Sequence, residues 1–273
     1  MNKVKVKLAT LLVAVLLPVA GLKAGGDDFG VWTELGVTKL LPYGLSVSAE
    51  GEFRSMNLSR NVDRWSGGLG VGYKPLSFLK FGASYTYIYE FKPGERKEHY
   101  KDDTGLEKDW NGFNQTQYYW ASKHRFQGDM TLSTKIDKVL KITLRERYQY
   151  THRDAMEVPR TKYRFKKDKK TPKVGYPRED VNEKAEKKTQ YLRSRLKLEL
   201  DKKGWKLVPY VSMELYNDLD DDLKLCKTKF TVGTSYQITN RHEVALGYLF
   251  ANDVDVDPYE GTHALNVGYS FKF

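Results

Sequence analysis

The sequence predicts an all-β chain: a transmembrane up-and-down antiparallel β-barrel of about ten to twelve strands, with short turns at a periplasmic rim and long loops at an extracellular one. Three observations predict it. Apolar and polar residues alternate with a period of two along most of the chain, which is the strand signature. The alternating segments are joined by short and long connections in turn. The chain opens on a leader-like stretch and closes on spaced aromatic residues.

Composition sets the outer bounds. The 273 residues carry 46 Lys+Arg against 35 Asp+Glu, a formal charge of +11. This length suits one large domain or two small ones. With 40% hydrophobic and 30% charged residues, the chain has no room for the repeated apolar runs of a helical membrane bundle. A barrel escapes that exclusion, because alternation hides its apolar residues from any average. Nineteen tyrosines and 13% aromatic content argue against a disordered chain. A single cysteine, Cys226, rules out an internal disulfide framework and a cysteine zinc site.

Residues 1–24 read as a signal peptide. Lys3, Lys5 and Lys7 precede an apolar run from Leu8 to Leu22, and Ala24 offers a small-residue cleavage site before Gly25-Gly26. The run is too short for a comfortable transmembrane helix, a buried N-terminal helix being the plainer alternative. Cleavage after Ala20 is a second option. Removing residues 1–24 leaves a mature chain, 25–273, of charge +7.

The strands follow in order. Residues 31–41 form the first. Leu45, Val47, Ala49 and Phe53 then oppose Ser46, Ser48, Glu50, Glu52 and Arg54, and Trp65, Leu69, Val71 and Tyr73 oppose Ser66, Gly68, Gly70 and Gly72. Residues 78–91 set Phe81, Ala83, Tyr85, Tyr87 and Tyr89 against Lys80, Gly82, Ser84, Thr86 and Glu90, with Ile88 the exception. Two further stripes run through Phe126–Ile136 and Leu140–Tyr150, where Glu146 interrupts the apolar side. The remaining stripes run through Leu192–Leu200, Leu207–Leu215, Phe230–Ile238, Val244–Phe250 and Leu265–Phe273, making eleven. Single-chain barrels usually have an even number, so ten or twelve is expected, with twelve if one strand lies within 93–122. The short connections are 42–44, 74–77, 137–139, 201–204 and 239–241; the long ones are 56–63, 93–118, 153–188, 217–224 and 251–261.

A soluble sandwich also alternates, burying its apolar stripes in a core. Tyrosine-rich apolar faces fit the aromatic girdles of a membrane barrel better, and the Gly, Ser, Thr, Arg and Glu of the polar faces fit a crowded, wet lumen. The C-terminal stretch Asn266-Val267-Gly268-Tyr269-Ser270-Phe271-Lys272-Phe273 resembles the terminal β-signal of outer-membrane barrels, with Asn266, Gly268, Phe271 and Phe273 at the matching places. That resemblance implies a last strand offered by its edge to the barrel assembly machinery. The mature chain also resembles a family of Gram-negative outer-membrane barrels known only as a domain of unknown function. The strings that carry this are Phe29-Gly30-Val31-Trp32-Thr33-Glu34, Lys123-His124-Arg125 and Leu144-Arg145-Glu146-Arg147-Tyr148-Gln149-Tyr150. The resemblance implies a barrel in the outer membrane and supplies no catalytic residues.

Candidate functional residues lie on the polar face. Arg145, Arg147, Arg193, Arg195 and Lys197 form an expected basic strip on one lumen wall, with Glu50, Glu52, Glu90, Glu199 and Glu214 as acidic partners in the same interior. Arg–Glu pairing that plugs the lumen is one reading; a narrow porin-like channel attracting anions is the other. The segment 153–188 holds thirteen Lys/Arg against seven Asp/Glu and reads as a solvated basic loop. As a surface site it suits anionic glycan or lipopolysaccharide phosphate, and no nucleic acid is expected outside the cell. Asp218, Asp220, Asp221 and Asp222, and Asp253, Asp255 and Asp257, lack the spacing of a calcium loop, so no metal is expected. An outer-membrane lipid hydrolase is the remaining alternative. There is no Gly-x-Ser-x-Gly elbow, and Ser122 and His124 share a face only through period two. The reading is a non-enzymatic barrel with no cofactor, whose partners are outer-membrane lipid, lipopolysaccharide and the assembly machinery.

Overall fold

The computed structural model describes residues 28–101, 109–254 and 260–273. The expected signal peptide, and Asp255 and Asp257, lie outside them. In chain order the strands are β1 (Asp28–Leu40), β2 (Leu45–Met56), β3 (Asn61–Leu76), β4 (Leu79–Lys92), β5 (Glu95–Tyr100), β6 (Trp110–Thr116), β7 (Tyr119–Ile136), β8 (Leu140–Arg153), β9 (Met156–Arg164), β10 (Arg178–Lys184), β11 (Lys187–Leu200), β12 (Leu207–Asp218), β13 (Lys224–Gln237), β14 (His242–Asp253) and β15 (Glu260–Lys272).

Eleven of them close into a barrel, in the order β1-β15-β14-β13-β12-β11-β8-β7-β4-β3-β2. They are the eleven segments that the two-residue period marks out. The expectation of an even number is corrected: with eleven strands the first and last run the same way. The seam is a parallel ladder from Asp28↔Thr262 to Thr38↔Lys272, while every other barrel pair is antiparallel. The last strand is therefore no edge in the folded barrel; β15 is paired on both sides. At the seam's far side Gly30 is fixed by crowding, since a Cβ there would sit 2.0 Å from the Ser55 carbonyl oxygen.

Alternation becomes two surfaces. Odd residues of β7, β8, β11, β13 and β14 and even residues of the other barrel strands face the interior. The outer face is apolar and exposed, as at Leu69 (67%) and Val71 (60%). Among the described residues only eight hydrophobic side chains are buried, against fourteen polar or charged ones that include Arg193, Glu199 and Glu214. A water-soluble domain shows the opposite preference. Aromatic contacts ring the outside, with Tyr89 stacked on Trp120 at 4.8 Å near one rim and Phe271 stacked on His242 at 4.7 Å near the other.

The rims differ as expected, with two corrections. The turn rim is tight, for example the 3-10 turn Pro42–Gly44 between β1 and β2. At the opposite, loop rim, two of the expected long loops shrink to turns, because β2 and β3 run on to Met56 and Asn61, and β12 and β13 to Asp218 and Lys224. The segments 93–118 and 153–188 are not solvated loops. They hold β5, β6, β9 and β10, a second sheet in the order β10-β9-β6-β5. That order repeats the barrel order β11-β8-β7-β4. Four adjacent barrel strands thus continue, after two-residue breaks, into a flap standing off the loop rim.

The flap has its own chemistry. Phe113 stacks on Tyr163 at 4.5 Å and Trp110 on Phe165 at 5.5 Å, with the Arg96 guanidinium 3.8 Å from the Phe113 ring. The opposite face carries Lys97, Arg160, Lys162, Arg178 and Lys184, by register. Asp180 accepts from Lys162 at 2.6 Å and from Arg160. Hydrogen bonds from Lys162 first, then Arg160, hold the Asp180 carboxyl well below the usual carboxylate range.

Candidate functional site

Strand register puts the candidate basic strip and its acids in the barrel interior. It also decides who meets whom. Glu214 on β12 is the hub, its side chain 2% exposed. Its Oε1 accepts from Arg145 at 2.6 Å and from Arg193 at 3.0 Å, and Lys229 lies 3.7 Å from its Oε2. Arg193 also donates to the Gln149 amide oxygen at 2.6 Å, and Gln149 accepts from Gln127 at 3.1 Å. Gln127 in turn accepts from Ser84 at 3.3 Å and from Arg147 at 3.2 Å. Arg147 pairs with Asp129, its direct neighbour on β7. One polar network thus crosses β4, β7, β8, β11, β12 and β13.

Three of the other expected acids have ion pairs of their own. Glu52 binds Arg54 at 2.7 Å and Arg64 at 2.9 Å on β2 and β3. Glu90 lies between Lys92, at 3.0 Å, and Lys123. Glu199 holds Lys197 at 2.8 Å and Lys141 at 2.9 Å. So the acids do not converge on the basic strip as a set: Glu214 holds Arg145 and Arg193, and Glu199 holds Lys197. Most pairs join neighbouring strands, since a charge out of water is held best by a close, well-aligned partner. Arg54, Arg64, Lys123, Asp129 and Lys229 belong to the site although they were not among the candidates. Their place on the polar parity was the available signal. Trp32 also belongs here: it is buried in the interior with the Arg54 guanidinium 3.5 Å from its ring.

Arg195 and Glu50 differ from the rest. Neither has an ion pair within 4.0 Å among the described residues, and the buried Arg195 Nε has no hydrogen-bond partner. Both line open space. Among the described residues, cavities lie in series along the interior: about 420 Å³ near the loop rim, about 410 Å³ in the middle and about 300 Å³ towards the turn rim. Arg125 is common to the first two, and Glu50, Arg145, Arg147 and Arg195 are common to the last two. In the closed strand order β1 stands opposite β8 and β11. The arginines of β8 and β11 therefore face Glu34 of β1, Glu50 of β2 and Glu243 of β14 across the middle cavity.

The remaining candidates separate. Asn266 and Gly268 point inward with the even residues of β15, and Gly268 lines the middle cavity; Phe271 and Phe273 stack outside at 5.3 Å. Ser122 and His124 lie on the outer face, hydrogen bonded to Tyr87 at 2.7 Å and Tyr85 at 2.8 Å, not to each other. Asp218 and Asp220 cap a turn and the Gln190 amide, and Asp253 pairs with Lys227 at 3.0 Å. Glu146 faces outward and accepts from Ser194 at 2.6 Å, so the one carboxylate of that stripe carries its own donor.

The profile of a family described as "Protein of unknown function (DUF2490)" matches residues 29–256. No curated protein matches. Among solved structures, the chain is similar to the beta domain of the Bordetella autotransporter BrkA (9% identity, 85% of this chain and 86% of that one, TM-score 0.49). It is similar to the deltaS2S3 mutant of TodX, a monoaromatic hydrocarbon channel (12% identity, 80% and 59%, TM-score 0.40). It is also similar to the translocator domain of the autotransporter NalP from Neisseria meningitidis (14% identity, 97% and 96%, TM-score 0.34). These likenesses are loose, and the strand order of the barrel rests on its own hydrogen-bond ladders.

Proposed function

The chain belongs to this family of proteins of unknown function, and from that premise we propose that it is an outer-membrane barrel serving as a narrow, anion-preferring pore. The observation that carries the reading is the inversion of the molecule: apolar side chains outside and exposed, charged side chains inside and lining cavities in series. An apolar outer belt with a polar interior is what lipid outside and water inside favour. The signal-like residues 1–24 supply the export route this location needs. Phe271 and Phe273 supply the terminal pattern for assembly.

The preference for anions follows from the narrow places. The boundary between the first two cavities is marked by Arg125, and that between the last two by Arg145, Arg147 and Arg195 against Glu50 and, on Arg147, Asp129. At the second boundary the charges balance once Glu214, bound to Arg145, is counted; at the first, and throughout the loop-rim cavity, cations line the path without acids, and charges of one sign select the opposite ion. Nothing in this reading asks the barrel to break a bond.

The test is conductance in planar bilayers. Small unitary steps are expected, with a reversal potential in a KCl gradient on the chloride side. Arg195→Glu should move that potential towards potassium. Absence of steps above the lipid baseline would overturn the pore. The location is tested separately, by heat-modifiable gel migration of the protein from the outer-membrane fraction; recovery in buffer without detergent would overturn it.

A second reading is favoured by the flap, whose basic face and aromatic stacks are ordered into a sheet. It makes the flap a surface for anionic glycan or lipopolysaccharide. Removal of residues 95–116 and 156–184 should then abolish lipopolysaccharide binding while the barrel keeps its heat-modifiable shift.

A further inference from the structure

We propose that the loop-rim cavity is a binding site for a small soluble phosphate ester of the sugar phosphate class. The proposal deepens the pore reading and rests on it for what happens after binding, but the binding itself is measured without conduction.

Six cations line this cavity: Lys92, Lys123, Arg125, Arg153, Lys184 and Lys187; no carboxylate does. The nearest acids stand behind the lining. Glu90 holds Lys92 and Lys123, and Glu95 is 4.0 Å from Lys184. Arg125, Arg153 and Lys187 have no ion pair within 4.0 Å among the described residues. Arg125 donates to the Thr151 hydroxyl at 3.3 Å, and Arg153 to the Ala185 carbonyl, neither of which carries charge. Lys123 and Arg125 lie partly out of bulk water, where positive charge is costly without a counter-charge, while Lys187 stands exposed at the mouth. The other two cavities meet that cost with Glu34, Glu50, Glu52, Glu214 and Asp129; this one does not.

The shape and the neutral groups narrow the ligand. About 420 Å³ lies within the range of small-molecule pockets, ~300–1,000 Å³. Two guanidinium groups and several ammonium groups suit a dianionic tetrahedral head, which arginine grips through paired N–H bonds and lysine as a point charge. Tyr119, Thr189 and Tyr191 add hydroxyls on the same wall for the hydroxyls of a sugar. The lining comes from the inner faces of β4, β7, β8 and β11 and from Lys184 at the foot of the flap. A ligand therefore enters from the rim, as a soluble ester does, and not from the lipid side, where a lipid headgroup sits.

The experiment is calorimetric titration of the full chain in detergent with glucose 6-phosphate, with glucose as the neutral control. Saturable heat is expected for the phosphate and none for glucose. The double substitution Arg125→Gln with Lys187→Gln should weaken the phosphate by about tenfold or more, the equivalent of ~1.4 kcal/mol. Lys138→Gln, in a turn at the other rim, should leave it unchanged. Heat-modifiable migration checks that the double variant is folded, and Lys187→Gln alone carries the test if it is not. No saturable heat, equal heat from glucose, or an unaffected folded variant would overturn the proposal. So would heat from lipopolysaccharide that the variant abolishes while the ester gives none, which assigns the cations to lipid-borne phosphate. Ester binding without conductance steps would sink the pore and leave this site; steps without ester binding would do the reverse.

Discussion

The flap and the barrel wall beneath it are made from the same four neighbouring strand lines, yet they are held together differently. In the barrel, alternation separates apolar from polar: Leu144, Tyr148 and Leu196 lie outside, Arg145, Gln149 and Arg195 inside. In the flap it separates aromatic from basic: Phe113, Tyr163 and Phe165 on one face, Arg160, Lys162 and Arg178 on the other. A strand between lipid and water sorts its residues by solvation. The flap buries Val158 on its basic face but little other apolar surface, and relies on ring stacking and part-exposed ion pairs, each worth little alone. The difference teaches where each part is vulnerable: the barrel in its buried charges, the flap in its surface contacts.

The largest effect should come from breaking the hub. Glu214→Ala leaves Arg145, Arg193 and Lys229 without their shared carboxylate, and loss of one partner from a buried ion cluster costs about 3–5 kcal/mol. A lower urea midpoint, or loss of the heat-modifiable form, is the expected outcome; an unchanged midpoint would show that the network adds nothing to the barrel.

A matched pair of glycine substitutions sharpens the comparison. Gly30→Val and Gly112→Val each place a Cβ 2.0 Å from a carbonyl oxygen, of Ser55 in the barrel and of Tyr163 in the flap. Gly112 also has φ +149, outside the range of ordinary side chains. Each should cost about 1–3 kcal/mol or more. Gly30→Val should lower the global urea midpoint. Gly112→Val should leave that midpoint in place and speed amide exchange only in β5, β6, β9 and β10.

Phe113→Ala removes the stack with Tyr163 and the Arg96 contact, about 0.5–1.5 kcal/mol beyond the area lost. Faster amide exchange in β6 and β9, without change in β7 or β8, is expected. The smallest effect is one of pH. Because the Asp180 carboxyl is depressed in the folded flap, its contribution is present above the unfolded value of about 3.9 and is lost as pH falls through the lower folded value. Protection factors in β9 and β10, that is exchange corrected for its intrinsic pH dependence, should therefore fall below about pH 4 and stay flat from there to neutrality.

The barrel's strands were legible because their two faces differ in kind: Tyr85, Tyr87 and Tyr89 against Ser84 and Thr86 admits one reading. The flap was not. In Glu157-Val158-Pro159-Arg160-Thr161-Lys162-Tyr163-Arg164, charges and hydroxyls occur on both parities, and Pro159 reads as a strand breaker. Its partners on β6 and β10 are distant in the chain and only the fold supplies them. The interior site was half legible. Parity placed Arg145, Arg147, Arg193, Arg195 and Lys197 inside, but pairing depends on register. Arg195 stands directly opposite Glu214 on the next strand, yet Arg145 and Arg193 are the ones that bind it. Long side chains choose partners along diagonals that no spacing in the sequence announces.

The parallel seam has a consequence for the two ends of the folded chain. Asp28 starts among the long connections and Lys272 finishes among the tight turns, so the polypeptide enters through one mouth of the cylinder and departs through the other. A reporter grafted ahead of Asp28 and another after Phe273 would then sit at opposite rims of the barrel, and so on opposite sides of the membrane in the location proposed above, which an even-stranded cylinder forbids.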